Sequence, residues 1–392
     1  MTVAVVGAGP AGLIAAETLA HAGQHVTVFD HMPNPARKFL IAGRGGLNLT
    51  HSEDFSRLLT RYGTARARLE PALRAFPPEA LVAWCEALGQ ATFVGSSGRV
   101  FPRAMKASPL LRAWLRRLSG LGVRLEPRHR LVEVSPQGAL RFATPGGEVT
   151  LTPSATVLAL GGASWPRLGS DGLWPALLPG VRMAPFRPSN VGFRVAWSEH
   201  FRARCAGHPL KRIAASFRGT TVPGEAMLTE AGLEGGAVYA LSAPLREAIA
   251  AEGFATLHLD LAPGRALGLD GPARGVSTSN RLRRAGLSPA AIGLVQEALH
   301  GGAPPALETL VHALPVRLTA PMPIDRAISS AGGIAWESVG QDFALLGYDK
   351  IFVAGEMLDW EAPTGGYLLQ ACFATGVAAA KGALSRVAAA GP

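Results

Sequence analysis

The sequence predicts an α/β fold: a Rossmann-like domain assembled from both chain ends and interrupted by a β-rich subdomain and a small helical subdomain. Three observations carry this. The first thirty residues read as strand, glycine turn, helix and second strand. Two later runs, ATVLAL at 155–160 and IFVA at 351–354, are apolar without alternation, as strands buried on both faces require. Between them the texture changes at about Phe186 to short strands at intervals, then to short helices, and glycine turns return after Pro321. The implied organisation is 1–186 and 321–392 for the Rossmann-like domain, 187–265 for the β-rich subdomain and 266–320 for the helical one.

The opening unit is the most specific. Residues 2–6 are an apolar, β-branched run, and Gly7, Gly9 and Gly12 follow in G-x-G-x-x-G spacing. Gly7 makes the tight turn, Gly9 removes a side chain where a pyrophosphate approaches, and Gly12 lets helix and strand pack closely. Pro10 and Ala11 open the helix, whose N-terminus presents unpaired amides and a partial charge of about +0.5 to the phosphates. Residues 26–29 form the second strand, which ends at Asp30. That carboxylate lies 23 residues beyond Gly7, where it can accept hydrogen bonds from a ribose diol. Strand, turn, helix and acid together identify a dinucleotide site and leave NAD and FAD both open.

Downstream, residues 33–53 are rich in glycine and basic residues and too irregular for a long helix. Residues 55–88 read as helical pieces broken at Pro71 and at Pro77–Pro78, with Gly89 as a C-cap. A small hairpin follows at 92–101, then an amphipathic helix at 108–118. Short strands come next, at 123–125, 130–134, 140–142 and 149–151. The interrupting segment carries strands at 191–196, 213–217, 225–228 and 256–259, with an alanine-rich helix at 243–251. Two or three short helices occupy 274–312, and a long helix runs from about Tyr367 to Ala389.

With 392 residues and 48% hydrophobic content, the chain can bury a substantial core. No apolar run is expected to reach the ~20 residues of a membrane span. Residues 3–14 contain the glycine turn and lack a basic leader, so they read as mature protein. Cys85, Cys205 and Cys372 are odd in number, widely spaced and form no CxxC, which implies a reducing cytoplasm and no redox disulfide at the site. The net charge of +10 raises the question of nucleic acid, but only five of the 38 basic residues are lysine and the arginines are scattered. A compositional habit, with 47 Gly and 30 Pro, accounts for the charge, and anionic small ligands are favoured over RNA. No metal-ligand spacing joins the 10 histidines.

Residues 351–370, IFVAGEMLDWEAPTGGYLLQ, separate NAD from FAD. A strand leads to Gly355–Glu356, and Gly365–Gly366 opens the final helix. A flavoprotein of glutathione-reductase-like architecture needs both features. One is an acid beside the ribityl and pyrophosphate groups; the other is a helix N-terminus whose dipole stabilises negative charge on the reduced flavin. The chain resembles the NAD(P)/FAD-dependent oxidoreductases of the BaiN and aminoacetone-oxidase-like type. The resemblance covers almost the whole chain. It is carried by AVVGAGPAGLIAAE at 4–17, RKFLIAGRGGLNLTHSE at 37–53 and SGRVFPRAMKAS at 97–108. LALGGASWPRLGSDG at 158–172, ISSAGGI at 328–334 and GEMLDWEAPTGGYLLQACFATG at 355–376 complete it. It implies FAD bound across the Rossmann-like domain, which is then an FAD-binding domain. At 43–48 this chain has G-R-G-G-L-N where the broader family often has G-G-G-R-C-N, so no thiol is expected beside the flavin there.

Arg37 and Lys38 precede a loop in which Gly43, Gly45 and Gly46 permit close approach to a planar ring. Lys38 at the flavin N1–C2=O edge would favour the anionic reduced form; a solvated surface charge is the bland alternative. Arg44 could anchor a substrate carboxylate or pair with an acid, and Asn48 could bond the flavin or brace the loop. Gly161–Gly162 ends a core strand on the adenosine or pyrophosphate side, near Ser164, Trp165 and Asp171. Val132 lies in the strand that, in this architecture, contacts adenine through its backbone. Gly355, Glu356, Asp359, Gly365, Gly366, Tyr367 and Leu368 complete the expected cofactor set. His51, Glu361 and Tyr367 are the acid–base candidates, although hydride transfer belongs to the flavin and needs few protein groups.

The expected function is hydride transfer between flavin N5 and a small organic substrate, with oxygen as acceptor or NAD(P)H as a candidate donor. No second complete GxGxxG unit lies in the interrupting segment, so NAD(P)H would approach only transiently. The substrate pocket is expected between the FAD domain and the insert. The alternatives are a flavoprotein acting on or binding RNA and a non-catalytic nucleotide-binding protein. No membrane partner and no oligomeric state are implied.

Overall fold

The computed structural model describes residues 2–42, 45–270, 275–300 and 306–389. The chain divides into two compact units, one made of Met1–Arg187 with Ser329–Pro392 and the other of Pro188–Ile328.

The first unit is built on a five-stranded parallel sheet. Its strands are β1 (Thr2–Val6), β2 (His25–Asp30), β3 (Arg124–Pro127), β4 (Ala155–Leu158) and β5 (Ile351–Val353), in the order β5-β4-β1-β2-β3. β1 is buried from Val3 to Val6, and every residue of β4 and β5 is buried, which is why these runs carry no polar alternation. β4 and β5 are adjacent although almost two hundred residues separate them, so both chain ends are needed to finish the sheet. The helices of this unit are α1 (Pro10–His21), α2 (Arg37–Ala42), α3 (Arg66–Ala75), α4 (Pro78–Ala87), α5 (Ala107–Gly120) and α6 (Tyr367–Ala389), with one more short turn at Phe55–Thr60.

Two expectations need correction. Pro71 does not end a helix: it lies inside α3, where a missing N–H costs about 3 kcal/mol. The helix survives because Leu69, Ala72 and Leu73 are fully buried against the core, and that packing outweighs one lost bond. The second concerns α6. By length and composition this 23-residue helix could cross a bilayer, contrary to the expectation that no segment would. Of its most apolar stretch, 61% is buried within the protein, so its apolar character is that of a core helix. Its approach to α1 is close: a Cβ on Gly376 would lie 2.4 Å from the Ala11 carbonyl oxygen.

One buried charge ties the helices on this side of the sheet together. Glu17 on α1 is 5% exposed at its side chain. Its Oε2 accepts hydrogen bonds from the indole of Trp84 on α4 at 3.0 Å and of Trp114 on α5 at 2.6 Å, and its Oε1 accepts from Arg117 at 3.1 Å. The two indoles meet edge to face with centroids 4.7 Å apart, and Phe373 of α6 stacks on Trp114. A buried carboxylate is tolerable only with such partners.

The second unit is a sheet of seven strand segments whose ends meet. Leu314–Leu318 pairs with Ala255–Asp260, and the continuation Ala320–Pro321 pairs with Phe193–Arg194. One stretch of chain thus supplies both edges, and the sheet closes as a small barrel without a long free edge. The short helices Thr278–Arg284, Pro289–His300 and Leu307–His312 share a single apolar core with these strands.

Replacing Glu17 by Ala leaves two buried indole N–H groups without an acceptor. We expect a loss of about 3 kcal/mol, read as a lower urea midpoint with altered tryptophan near-ultraviolet dichroism. An unchanged midpoint would show that the carboxylate bears no part of the helix packing.

Candidate cofactor site

The first unit holds a cavity of about 370 Å³. Gly7, Gly9, Pro10 and Ala11 line it from the β1–α1 turn, Asp30 from the end of β2, and Arg37 and Lys38 from α2. Val132, Gly161, Gly355 and Glu356 also line it, although they come from segments remote in sequence.

Each glycine of the turn has a distinct steric reason. Gly7 adopts φ +103°, and a Cβ there would lie 2.3 Å from the Ala159 carbonyl oxygen. A Cβ on Gly12 would lie 1.9 Å from the Gly7 carbonyl oxygen, so α1 can seat on the turn only without it. A Cβ on Gly9 would meet no protein atom within 4 Å. No side chain caps α1 at Gly9, so its first amides open on the cavity with the positive end of the helix dipole. Asp30 is braced: its Oδ2 accepts from the Ala8 amide and its Oδ1 from the Met32 amide, each at 2.7 Å. Each oxygen keeps a second lone pair for a ligand hydroxyl. Val132 is the extra residue of a β-bulge, between the paired Leu131 and Glu133, so its backbone stands outside the ladder.

At the other end, Lys38 Nζ donates to Glu356 Oε2 and to Ser164 Oγ, both at 2.6 Å. Glu356 Oε1 accepts the Ser330 amide at 2.9 Å, and Ser330 Oγ accepts the Ala163 amide at 2.8 Å. Gly162 does not line the cavity but packs under this network, its Cβ position 2.5 Å from Ser330 Oγ. Lys38 is therefore an ion pair rather than a bare cation. Cys372, on α6, completes the wall; burial and the Glu356 charge push its thiol up to about 12, against the pull of Lys38.

The remaining candidates gather at the start of α6. Gly366 has φ +96°, and its Cβ position lies 2.5 Å from Thr50 Cα. The Asn48 amide, in the orientation that satisfies both its ends, accepts from the Gly366 amide at 3.2 Å and donates to the Thr50 carbonyl at 3.0 Å. Tyr367 Oη donates to Glu53 Oε1 at 2.5 Å, and the His51 ring stacks on Tyr367 with centroids 5.4 Å apart. His51 Nδ1 accepts the Glu53 amide at 3.1 Å, and its Nε2 lies 3.0 Å from the Ser97 carbonyl oxygen. Burial lowers the imidazole pKa despite the Glu53 charge, so both ring nitrogens serve the loop with a neutral ring. Burial would raise Glu53, but the hydrogen bonds from Arg61 and Tyr367 and the Arg61 charge outweigh it and hold the carboxyl below its usual range. Burial, then the Glu53 bond, holds the Tyr367 phenol well above its ordinary value.

Gly45, Gly46, Gly365 and Leu368 flank this second group outside the cavity lining. Gly46 has φ +109° and lies under Met105, whereas a Cβ on Gly45 would meet nothing within 4 Å. Gly43 and Arg44 lie outside the described residues. Asp359 does not line the cavity: its amide donates to the Ile334 carbonyl, its carbonyl accepts the Trp336 indole at 2.7 Å, and burial raises its carboxyl. Glu361 follows in the same loop, also away from the cavity lining. Among the described residues no His, Cys, Asp and Glu cluster could hold a metal.

Sequence reasoning passed over Ser170, Cys372, Glu53 and Arg61. Ser170, in the cavity wall, has a buried Oγ with no hydrogen-bond partner among the described residues, and Cys372 lies five residues beyond Tyr367 on one helix. Glu53 and Arg61 are eight residues apart, across the start of a helix, where no periodic pattern would pair them.

The cavity residues fit a dinucleotide of the FAD kind. Space stands open above Gly9, amides are uncapped at α1, a braced carboxylate waits at Asp30, and Ser170 Oγ is an orphaned polar atom.

The comparisons agree with this geometry. Residues 1–382 match the model of the HI0933-like protein Rossmann domain. The chain is 25% identical to the 3-dehydro-bile acid Δ4,6-reductase of Clostridium scindens, covering 98% of this chain and 99% of that one. Among solved structures it resembles 3-ketosteroid Δ1-dehydrogenase from Sterolibacterium denitrificans, with TM-score 0.54, 15% identity and 98% and 100% of the two chains covered. Sdh1 of Mycobacterium smegmatis matches with TM-score 0.52 at 17% identity, over 99% of this chain and 69% of the other. At such identities these two structures attest the fold. This chain belongs to the HI0933-like Rossmann family, and with it to the FAD-dependent oxidoreductases.

Proposed function

We propose that this oxidoreductase moves a hydride between flavin N5 and a small organic substrate, with NAD(P)H as transient donor or oxygen as acceptor. One observation carries the cofactor assignment. A single cavity joins the Gly7–Gly12 turn and Asp30 to Gly355 and Glu356, residues more than three hundred positions apart. A mononucleotide would need only the first half.

The residues divide the work along that cavity. Pro10 has no N–H, so the Ala11 amide and the positive end of the α1 dipole take the pyrophosphate, and Asp30 takes a ribose hydroxyl on the lone pairs its backbone braces leave free. The bulged Val132 backbone serves the adenine edge. Lys38 and Glu356 form a charge-neutral polar wall for the polyol, with the buried Ser164 accepting from Lys38 behind it, and Cys372 contributes a neutral thiol with no nucleophilic role. FAD, when bound, supplies the hydride chemistry; these residues bind and orient it. His51 braces its loop and Tyr367 is held protonated, so the loop and helix start serve positioning more than proton transfer.

A small-molecule substrate and no nucleic-acid partner are proposed. Arg61, Arg74, Arg117, Arg141 and Arg218 each face a carboxylate, which supports a structural use for the positive charge. The name of the Clostridium scindens relative supports unsaturated 3-oxo steroids as the first substrates to screen.

The purified protein is expected to be yellow, with absorbance near ~450 nm that bleaches anaerobically on adding NADH or NADPH. A colourless protein that binds no added FAD sinks the proposal; a flavin that neither coenzyme reduces removes only the NAD(P)H arm. Gly9→Ala should leave the apo protein as stable as wild type yet weaken FAD binding about tenfold or more, since its Cβ meets only ligand space. Gly12→Ala should lose stability and binding together, because its clash is with the protein backbone. Calorimetry beside an FAD fluorescence titration distinguishes the two.

A further inference from the structure

Glu53 is a carboxylate that no step above uses, yet it is among the most heavily partnered groups in the first unit. Its side chain is 8% exposed. Arg61 donates to it through Nε at 3.0 Å and Nη2 at 2.6 Å, the Arg57 guanidinium lies at 3.3 Å, and Tyr367 Oη donates at 2.5 Å. The Arg61 guanidinium also lies 5.6 Å from the Tyr367 ring centroid, with the His51 ring stacked on the same phenol. Tyr62 Oη holds the Tyr367 carbonyl at 2.9 Å, and Thr50 Oγ1 donates to Gln370 Oε1 at 2.8 Å. The first turn of α6 is therefore fastened chiefly by side chains from 48–62, with Gln370 Nε2 also donating to the Phe76 carbonyl at 2.7 Å.

That turn is close to the cofactor cavity. Cys372, five residues along α6 and so about 7.5 Å along its axis from Tyr367, lines the cavity beside Glu356 and Lys38. A helix N-terminus carries about half a positive charge, and a bare carboxylate beside it would cancel that field. Arg61 prevents the cancellation by balancing Glu53. The Arg61 side chain is 33% exposed while Glu53 is enclosed, so the pair is part-buried and its charges are screened less than those of a surface pair.

We propose that Glu53 and Arg61 are positioning residues that hold Tyr367 and keep the α6 N-terminus charge-balanced, and so set the reduction potential of the flavin. The proposal rests on the FAD reading above. It assigns the pair no contact with substrate.

The test is the midpoint potential of the FAD-loaded full chain, measured by dye-coupled anaerobic reduction, with urea midpoints taken in parallel. Glu53→Gln leaves Arg61 uncompensated and should raise the potential; Arg61→Met leaves the carboxylate with only the solvent-exposed Arg57 beside it and should lower it. The double variant should return close to wild type, and Arg61→Lys should stay near wild type. Shifts of the same sign, or lowered urea midpoints with unmoved potentials, overturn the proposal and leave the pair a structural brace. A pH series adds a sign check, with His51, Arg57, Arg61 and Tyr367 facing the carboxylate. Against burial, the Arg61 and Tyr367 hydrogen bonds hold the Glu53 carboxyl below its ordinary value, so it keeps its charge through the usual carboxylate range and loses it only at more acidic pH, where wild type should converge on Glu53→Gln. A difference that persists at low pH overturns the charge account. A wild-type protein that binds no FAD overturns the cofactor reading itself and this proposal with it; a bound flavin of invariant potential overturns only the proposal.

Discussion

Unit one depends on how closely its backbones meet at the Gly7–Gly12 turn. The strand-side loop at Ala159 approaches Gly7, Gly7 approaches Gly12, and α6 approaches Ala11, at each point too closely for a Cβ on the glycine. Because nothing but backbone stands between them, β1, β4, α1 and α6 form one tight layer stack. Gly355, at the end of β5, is then brought against Ala11, its Cβ position 2.8 Å from the alanine methyl. This contact brings the late acid, Glu356, to the cavity opened by the first turn. Gly9 alone among the three motif glycines faces open space, so the turn both seals the core and leaves room for a ligand.

Charge is handled by the same logic of enclosure. Three enclosed carboxylates of the first unit take their counter-charge or donors from other elements: Glu17 from two indoles and Arg117, Glu356 from Lys38 and an amide, Glu53 from Arg61 and Tyr367. Burying such groups unpaired would cost more than the packing around them returns. The cavity consequently offers an anionic cofactor oriented backbone amides together with the Arg37 guanidinium, while Lys38 is already paired. Arginine serves this pattern well because its planar fork bonds a carboxylate with two nitrogens at once, as Arg61 does.

Much of this was legible from residue order because it rests on local physics. Glycine spacing, apolar strand runs and a Tyr367–Ala389 helix each follow from backbone geometry within a few residues. What was not legible shares a cause as well. Pro71 looked like a helix end because its local penalty is visible and the burial of Leu69 and Leu73 is not. Asp359 follows the Gly355–Glu356 turn in the chain, yet its backbone bonds Ile334 and Trp336 and it lies outside the cavity lining, a placement that residue order does not contain. The Val132 bulge arises from register with a neighbouring strand, which one strand's residues do not contain.

By itself, the sequence determined the Rossmann-like class, the site's two terminal segments and the kind of ligand they serve. These depend on short-range requirements: which positions tolerate no side chain, which runs bury both faces, and where a helix begins. Tertiary structure alone decided which charges meet. Lys38 found Glu356, 318 positions away, and Tyr367 found Glu53, 314 away. Pairing strength falls steeply with distance and exposure, so only the folded arrangement could decide that Lys38 is a neutral pair and Glu53 part of the α6 anchor.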